Sequence, residues 1–160
     1  MMEKVLRILE EDCRVPIDEI AQRLGITEDE VNKLIAEAEE SGAILGYGAI
    51  VNWAKVRPDR VYAFISISAH PEHNIGFDEM ARRIARFPEV HSLYLVSGTH
   101  DLTVVVEADD FREIASFVAE RLAPIQGVQS TATSFVLKGY KLEGRMIDSG
   151  DGPQRLAVSP

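Results

Sequence analysis

Apolar residues recur along this chain with two different periods. Up to residue 42 they fall at helical spacing, and from residue 60 a spacing of two takes over for most of the strand-like segments. Val5, Leu6, Ile8 and Leu9 predict a first helix over residues 2–11, followed by a turn at Asp12, Cys13 and Arg14. Pro16 suits the first turn of a second helix, where its missing N–H would have no partner. Ile17, Ile20, Ala21 and Leu24 then share one face, and Gly25 ends the helix. Thr27 predicts an N-cap with Glu30 as the reciprocal member of a capping box. Val31, Leu34, Ile35 and Ala38 give the inward stripe of a third helix reaching about Ser41. Residues 16–42 therefore read as a helix-turn-helix. Steps of about 100° per residue place Asp29, Lys33, Ala36 and Glu40 at the centre of the outward face of its second helix.

The segment AILGYGAIVNW, residues 43–53, holds strand-forming residues interrupted by Gly46 and Gly48. It suits either a short two-stranded wing or a connecting strand. Residues 53–60, with Pro58, read as a linker. Beyond it Val61, Ala63, Ile65 and Ile67 alternate with Tyr62, Phe64, Ser66 and Ser68, a strand with one wholly apolar face. Phe77, Met80, Ala81, Ile84 and Phe87 form a helical stripe closed by Pro88. Residues 90–97 and 102–108 are two strands joined by a tight connection containing Gly98, hence an antiparallel pair. Asp110 with Glu113 predicts the start of another helix with the stripe Phe111, Ile114, Ala115, Val118 and Leu122, stopped by Pro124 and Gly127. Residues 128–137 are the last strand. The order βαββαβ predicts an antiparallel sheet with two helices on one face, the ferredoxin-like arrangement. The whole is an α+β chain: helix-turn-helix over 1–52, linker 53–60, βαββαβ domain 61–143 and a tail, 144–160. In that tail a flexible turn precedes an RLAV segment that suits pairing with an edge strand.

Helices on one face leave the other face of the sheet uncovered. Leu93, Leu95, Val105, Phe135 and Leu137 cannot all share one side with Val90, Tyr94, Val104 and Val136, so some apolar side chains face outward. This predicts self-association.

Charge alters the reading of the N-terminal half. The chain carries a net charge of −9. Residues 1–52 hold five basic groups (Lys4, Arg7, Arg14, Arg23 and Lys33) against twelve acidic ones, which is −7; the remainder is −2. Nucleic-acid affinity is largely phosphate neutralisation, so this distribution opposes strong nonspecific DNA binding. With 160 residues, 46% of them hydrophobic, the chain suits one or two small folded domains. It lacks a run of 18 apolar residues, and its start, MMEKVLRILEED, lacks the apolar core of a signal peptide, so a cytoplasmic location is expected. The single cysteine, Cys13, reads as a reduced, unreactive side chain.

Little else carries chemistry. His70 and His73 stand in an H-x-x-H loop without a third ligand nearby, and read as solvated residues; no metal and no cofactor are expected. Gly46 and Gly48 lack the third glycine and the following helix of a nucleotide site. Neither a nucleophilic triad nor a pair of catalytic carboxylates is evident, so the chain does not read as an enzyme.

A helix-turn-helix, a short connection and a βαββαβ domain, in that order, resemble the Lrp/AsnC family of feast/famine transcriptional regulators. The resemblance spans nearly the whole chain. It rests on LRILEEDCRVPIDEIAQRLGITEDEV, on SGAILGY after the recognition helix, on FPEVHSLYLVSGTHDLTVVV across the central hairpin, and on TSFVLK in the last strand. It implies a winged helix-turn-helix joined to a ligand-binding (RAM) domain. It also implies DNA as a partner, dimers that build into octamers or similar rings, and a small effector, commonly an amino acid, held between dimers. The family's Gly-x-x-Asp loop falls on Gly98, Thr99, His100 and Asp101. Glycine there lets backbone N–H groups approach a carboxylate, and an aspartate accepts bonds from an α-ammonium. Thr131 and Thr133, with Ser130 and Ser134, add neutral polar lining. Without the resemblance, a hairpin shaped by Gly98 and capped by Asp101 accounts for the same residues, and both readings stand at this point.

The candidate DNA contacts are Arg14, Thr27, Asn32 and Lys33. Asn32 suits adenine and Lys33 guanine or phosphate, each such pairing being worth about 1–3 kcal/mol. Family members that bind operators usually display arginines along this helix, whereas here Asp29, Glu37 and Glu40 stand beside the two. Two alternatives follow. One is a ligand-sensing oligomer whose acidic helix-turn-helix no longer binds DNA. The other is an enzyme of the siroheme-decarboxylase kind, which resembles the same family but needs cationic or imidazole groups around a tetrapyrrole, and only scattered His and Arg are present.

Overall fold

The computed structural model describes residues 1–70 and 76–147. The chain divides into two compact units, Met1–Ile50 and Val51 onward. In the first, α1 (Met2–Glu11), α2 (Ile17–Leu24) and α3 (Glu28–Glu40) pack around buried Val5, Ile20, Ala21 and Val31, with Leu9, Leu24, Leu34 and Ile35 partly buried against them. Gly25 closes α2 in the left-handed conformation at φ 67, which a residue without Cβ adopts at no steric cost. Pro16 stands one position earlier than expected, as an extended N-cap residue (φ −61, ψ 148). Its carbonyl, rather than its ring, serves the helix, accepting the Ile20 N–H at 3.1 Å.

Residues 43–52 form no strand. Among the described residues the segment therefore forms neither a two-stranded wing nor a connecting strand, and runs as an irregular connection. Gly46 and Gly48 contribute no side-chain packing, and no second segment of the first unit lies alongside to complete a ladder. The segment is held instead by Ile44 N–H to the Ala38 carbonyl at 3.0 Å and by the Tyr47 hydroxyl, which donates to Glu39 at 2.8 Å.

The second unit is a four-stranded antiparallel sheet of order β2-β3-β1-β4, from β1 (Val61–Ala69), β2 (Val90–Leu95), β3 (Leu102–Ala108) and β4 (Val128–Phe135). Helices α4 (Phe77–Ile84) and α5 (Phe111–Phe117) cover one face. The core between the layers joins Val61, Ala63, Ile65 and Ile67 of β1 to Leu102, Val104 and Val106 of β3, with Met80, Ile84, Ile114, Phe117 and Leu122 from the helical side. Asp110 caps α5 as expected, its Oδ1 accepting the N–H groups of Arg112 at 2.7 Å and Glu113 at 3.0 Å; Glu113 reaches back to the N–H of Asp109.

The inward stripe of α5 differs from the expected one. Phe111 and Ala115 are exposed and Phe117 is buried. The helix runs on as a π turn over Val118–Leu122, closed by Ala123 N–H to the Val118 carbonyl at 2.8 Å, so a uniform 3.6 period does not describe it. Both strands that were expected to reach residues 97 and 137 stop two residues earlier, at Leu95 and Phe135. Residues 141–146, read partly as a flexible turn, form a hairpin of β5 (Lys141–Leu142) and β6 (Arg145–Met146) with Glu143 (φ 44) and Gly144 (φ 77) both left-handed, a turn that matches strand twist. The RLAV segment and His73 lie outside the described residues.

Residues 53–60 are fastened to the second unit. The Arg60 guanidinium lies 4.6 Å from the Trp53 ring and pairs with Glu107, and Arg57 pairs with Asp109 at 2.9 Å.

Candidate functional site

Two places can carry function. The first is the exposed side of α3. Thr27 Oγ1 accepts the Glu30 N–H at 3.2 Å, while Glu30 Oε2 accepts the Thr27 N–H at 2.8 Å, so the capping box is complete. Those bonds hold the Glu30 carboxyl below the usual carboxylate range, the backbone bond to Thr27 first and its hydroxyl second. With the start of α3 so fixed, Asn32 and Lys33 are exposed one turn further on; Arg14 is exposed in the α1–α2 turn. Thr27 is thus occupied in capping, whereas Asn32 and Lys33 present their side chains outward. Glu28, Asp29 and Glu30 crowd the first turn, where carboxylates complement the helix dipole. At the other end Glu39 is engaged by Tyr47, and that bond, with some desolvation, raises the tyrosine pKa.

The second place is one end of the sheet, where the β2–β3 connection meets the end of β1. Gly98 takes φ 139, a conformation that favours glycine, and with Thr99 it is exposed; His100 and Asp101 are half-buried. His100 Nε2 lies 2.8 Å from Thr103 Oγ1, and Nδ1 lies 3.4 Å from Thr99 Oγ1. Asp101 is turned into the fold: its Oδ2 accepts the Ala69 N–H at 2.8 Å. His70 follows directly, its N–H donating to the Gly127 carbonyl at 2.8 Å.

Strand register assigns the remaining candidates to faces, because directly paired residues of an antiparallel ladder project to the same side. Thr131 pairs with Ile67 and Thr133 with Ile65, so both threonines lie on the helix-covered side. Thr103 pairs with Ser66 and Tyr94, on the open side, and His100 follows it there. The structure therefore brings Gly98, Thr99, His100 and Asp101 together and leaves Thr131 and Thr133 on the other face. Ser130 and Ser134 of β4 pair with Ser68 and Phe64 and are the open-face polar residues of that strand. Sequence reading missed Ser66, Ser68 and Thr103 as neighbours of the loop, although their alternation with buried positions was visible.

The open face changes character along the strands. Near the loop it carries Ser66, Ser68, Thr103 and Ser130, and further away Phe64, Val105 and Val136, with Phe64 47% exposed. Among the described residues, no group of three or more His, Cys, Asp or Glu is placed to hold a metal ion, and no helix is long and apolar enough to cross a membrane. Cys13 is half-buried, with Sγ 4.0 Å from the Gly48 carbonyl.

One unit thus holds a capped helix-turn-helix, and the other a glycine-shaped loop beside threonine hydroxyls. Comparison with known proteins agrees. Residues 2–44 match the description "Winged helix-turn-helix DNA-binding" and residues 62–146 match "Lrp/AsnC ligand binding domain". The HTH-type transcriptional regulator YugG of Bacillus subtilis, itself uncharacterised, is 40% identical over 158 residues, 98% of this chain and 95% of the relative. LrpA of Pyrococcus horikoshii, also an HTH-type transcriptional regulator, is 32% identical over 137 residues, covering 86% and 94%. Among solved structures, the transcriptional regulator NMB0573 of Neisseria meningitidis, crystallised as an L-Met complex, superposes with a TM-score of 0.70 at 26% identity over 88% of this chain and 90% of that one.

The chain belongs to the Lrp/AsnC family. It is a DNA-binding transcriptional regulator with a ligand-binding domain.

Proposed function

We propose that this regulator senses an amino acid through the Gly98–Thr99–His100–Asp101 loop, and that it works in the cytoplasm as a homo-oligomer. The observation that carries the effector half is the loop itself. A glycine at φ 139 exposes backbone beside the His100 imidazole and the Thr99 and Thr103 hydroxyls, within the residues that match a ligand-binding domain. Donors of this kind suit a carboxylate. The L-Met complex of NMB0573 supports an amino acid as the class to try. Asn32 and Lys33 of α3 are the base and phosphate contacts of the proposal, with Arg14 as a further phosphate contact. The exposed Phe64 and Val136, with half-buried Val105 beside Phe64, support self-association through the open sheet face.

Thermal shift against the twenty amino acids tests the effector half: a ligand at 100 times its Kd adds about 2.7 kcal/mol of stability. If none of the twenty moves the transition, the amino-acid reading fails. Selection of bound sequences from random DNA at low salt, with and without amino acids, tests the operator half, and failure to enrich any site under both conditions refutes it. Sedimentation of Phe64→Glu tests the interface; a wild-type chain that already sediments as a monomer rules it out.

A further inference from the structure

We infer that Asp101 is the positioning residue of the effector loop: its carboxylate latches the β2–β3 hairpin to the last N–H of β1, and ligand contact falls to Gly98, Thr99 and His100. The inference rests on the reading of this loop as the effector site and divides the labour within it.

Three polar groups of Asp101 are spent inward. Its N–H donates to the Ile67 carbonyl at 2.9 Å, its carbonyl accepts the Val96 N–H at 2.9 Å, and its Oδ2 accepts the Ala69 N–H at 2.8 Å. The first two bonds are backbone and any residue makes them. The third needs a side-chain acceptor one carbon beyond Cβ, which Asp or Asn supplies and Ala does not. Without it the N–H of buried Ala69, at the edge where the register of β1 against β4 shifts, loses the acceptor that Asp101 provides. The latch also reaches further than one strand. Ala69 precedes His70, whose N–H is held by the Gly127 carbonyl, so the β2–β3 connection, the end of β1 and the α5–β4 connection are tied in series at one end of the sheet. Gly98 and Thr99, by contrast, are exposed, and the His100 ring faces the open side beside Thr103. A rigid frame beneath an exposed recognition loop is what precise ligand placement requires.

The test compares Asp101→Asn, which keeps the acceptor and loses the charge, with Asp101→Ala, which loses both. Two readouts are taken on the full chain: hydrogen exchange of the Ala69 amide, and binding of L-methionine, L-leucine and L-asparagine. Losing the acceptor exposes Ala69 to exchange that is faster by roughly 5- to 150-fold. This is expected for Asp101→Ala only. Affinity is expected to survive within about threefold in Asp101→Asn and to fall at least about tenfold from wild type in Asp101→Ala, a loss of about 1.4 kcal/mol. Ala69 exchanging alike in all three proteins overturns the latch. If Asp101→Asn keeps Ala69 protected yet binds as poorly as Asp101→Ala, the carboxylate itself touches the ligand and the division of labour is wrong. If the wild type binds none of the three, the amino-acid reading is what weakens, and the exchange measurement alone decides the latch.

Discussion

Replacing Thr27 by alanine removes the hydroxyl that accepts the Glu30 N–H at 3.2 Å and donates to Glu30 Oε2 at 2.9 Å. Losing an N-cap of this type costs about 0.5–2 kcal/mol. The return bond from the Thr27 N–H to Glu30, 2.8 Å, involves backbone and survives, which argues for the middle of that range, about 1 kcal/mol. The unit that bears the loss spans Met1–Ile50 and buries only Val5, Ile20, Ala21 and Val31 in its central cluster. At about 0.05–0.15 kcal/mol per residue its own stability is roughly 2.5–7.5 kcal/mol, so one bond is a large share. For a domain this small 1 kcal/mol moves the melting temperature by about 8 °C. Far-UV circular dichroism of the full chain reads this in the helical transition, and Thr27→Ser restores the cap. Because the folded Glu30 carboxyl lies below its ordinary range, its contribution is complete at neutral pH and is lost as pH falls through that lowered value. Glu30→Gln flattens that acid dependence. DNA affinity measured well below the transition separates roles: a capping Thr27 leaves it unchanged, a contacting one does not. A Thr27→Ala protein that melts with the wild type, or a Thr27→Ser protein that melts as low as the alanine variant, refutes the reasoning.

Three further outcomes are expected. Gly127→Ala forces φ 90 on a residue whose Cβ would stand 2.5 Å from Met80 Cε and 3.2 Å from the His70 carbonyl, and is expected to cost about 1–3 kcal/mol in urea unfolding. Ile65→Ala empties a fully buried position on a central strand and is expected to cost about 2–5 kcal/mol by the same measurement; a cost under about 1 kcal/mol contradicts the assigned core. The double change Glu37→Arg and Glu40→Arg is expected to tighten DNA binding at low salt and to steepen its salt dependence by up to about 1.8 logarithmic units per decade of salt, and unchanged titration curves show that these acids do not limit binding.

Much of this architecture is written in short-range signals. The Thr27–Glu30 pair specifies a cap by itself, and strict alternation from Val61 to Ile67 specifies which side of β1 is buried, so both are legible from a few residues. Features that depend on distant partners are not. Thr131 and Thr133 look like site lining until their partners, Ile67 and Ile65, reveal the face they occupy. The inward Phe117 stands at ordinary helical spacing from Ile114 and was legible; the π turn that follows it was not, since nothing in VAERL announces one. Strand-like AILGYGAIVNW raised a wing that had no partner segment to pair with. The carboxylate of Asp101 could be assigned to a ligand or to the backbone from sequence alone, and only the position of the Ala69 N–H decides where it points.

The same distinction bears on the acidic helix-turn-helix. A surplus of seven negative charges in residues 1–52 opposes DNA only to the extent that the charges face it. Several do structural work. Glu3 and Glu19 pair with Arg7 and Arg23 along their own helices, Asp12 accepts the Arg14 N–H, Glu30 closes the capping box and Glu39 holds Tyr47. Two of those bonds also remove arginines from the pool that could meet phosphate, so the structural use of acids weakens DNA affinity indirectly. Glu37 and Glu40 are different. They are exposed on α3 near Lys33, and among the described residues no hydrogen bond or ion pair engages their side chains. A carboxylate without an internal partner is a free term in the electrostatics of docking, screened over about 10 Å at 0.1 M salt. On the outward side of α3 the carboxylates without an internal partner are therefore those of Asp29, Glu37 and Glu40, and reversing Glu37 and Glu40 is expected to move affinity more than reversing any of the capped or paired acids.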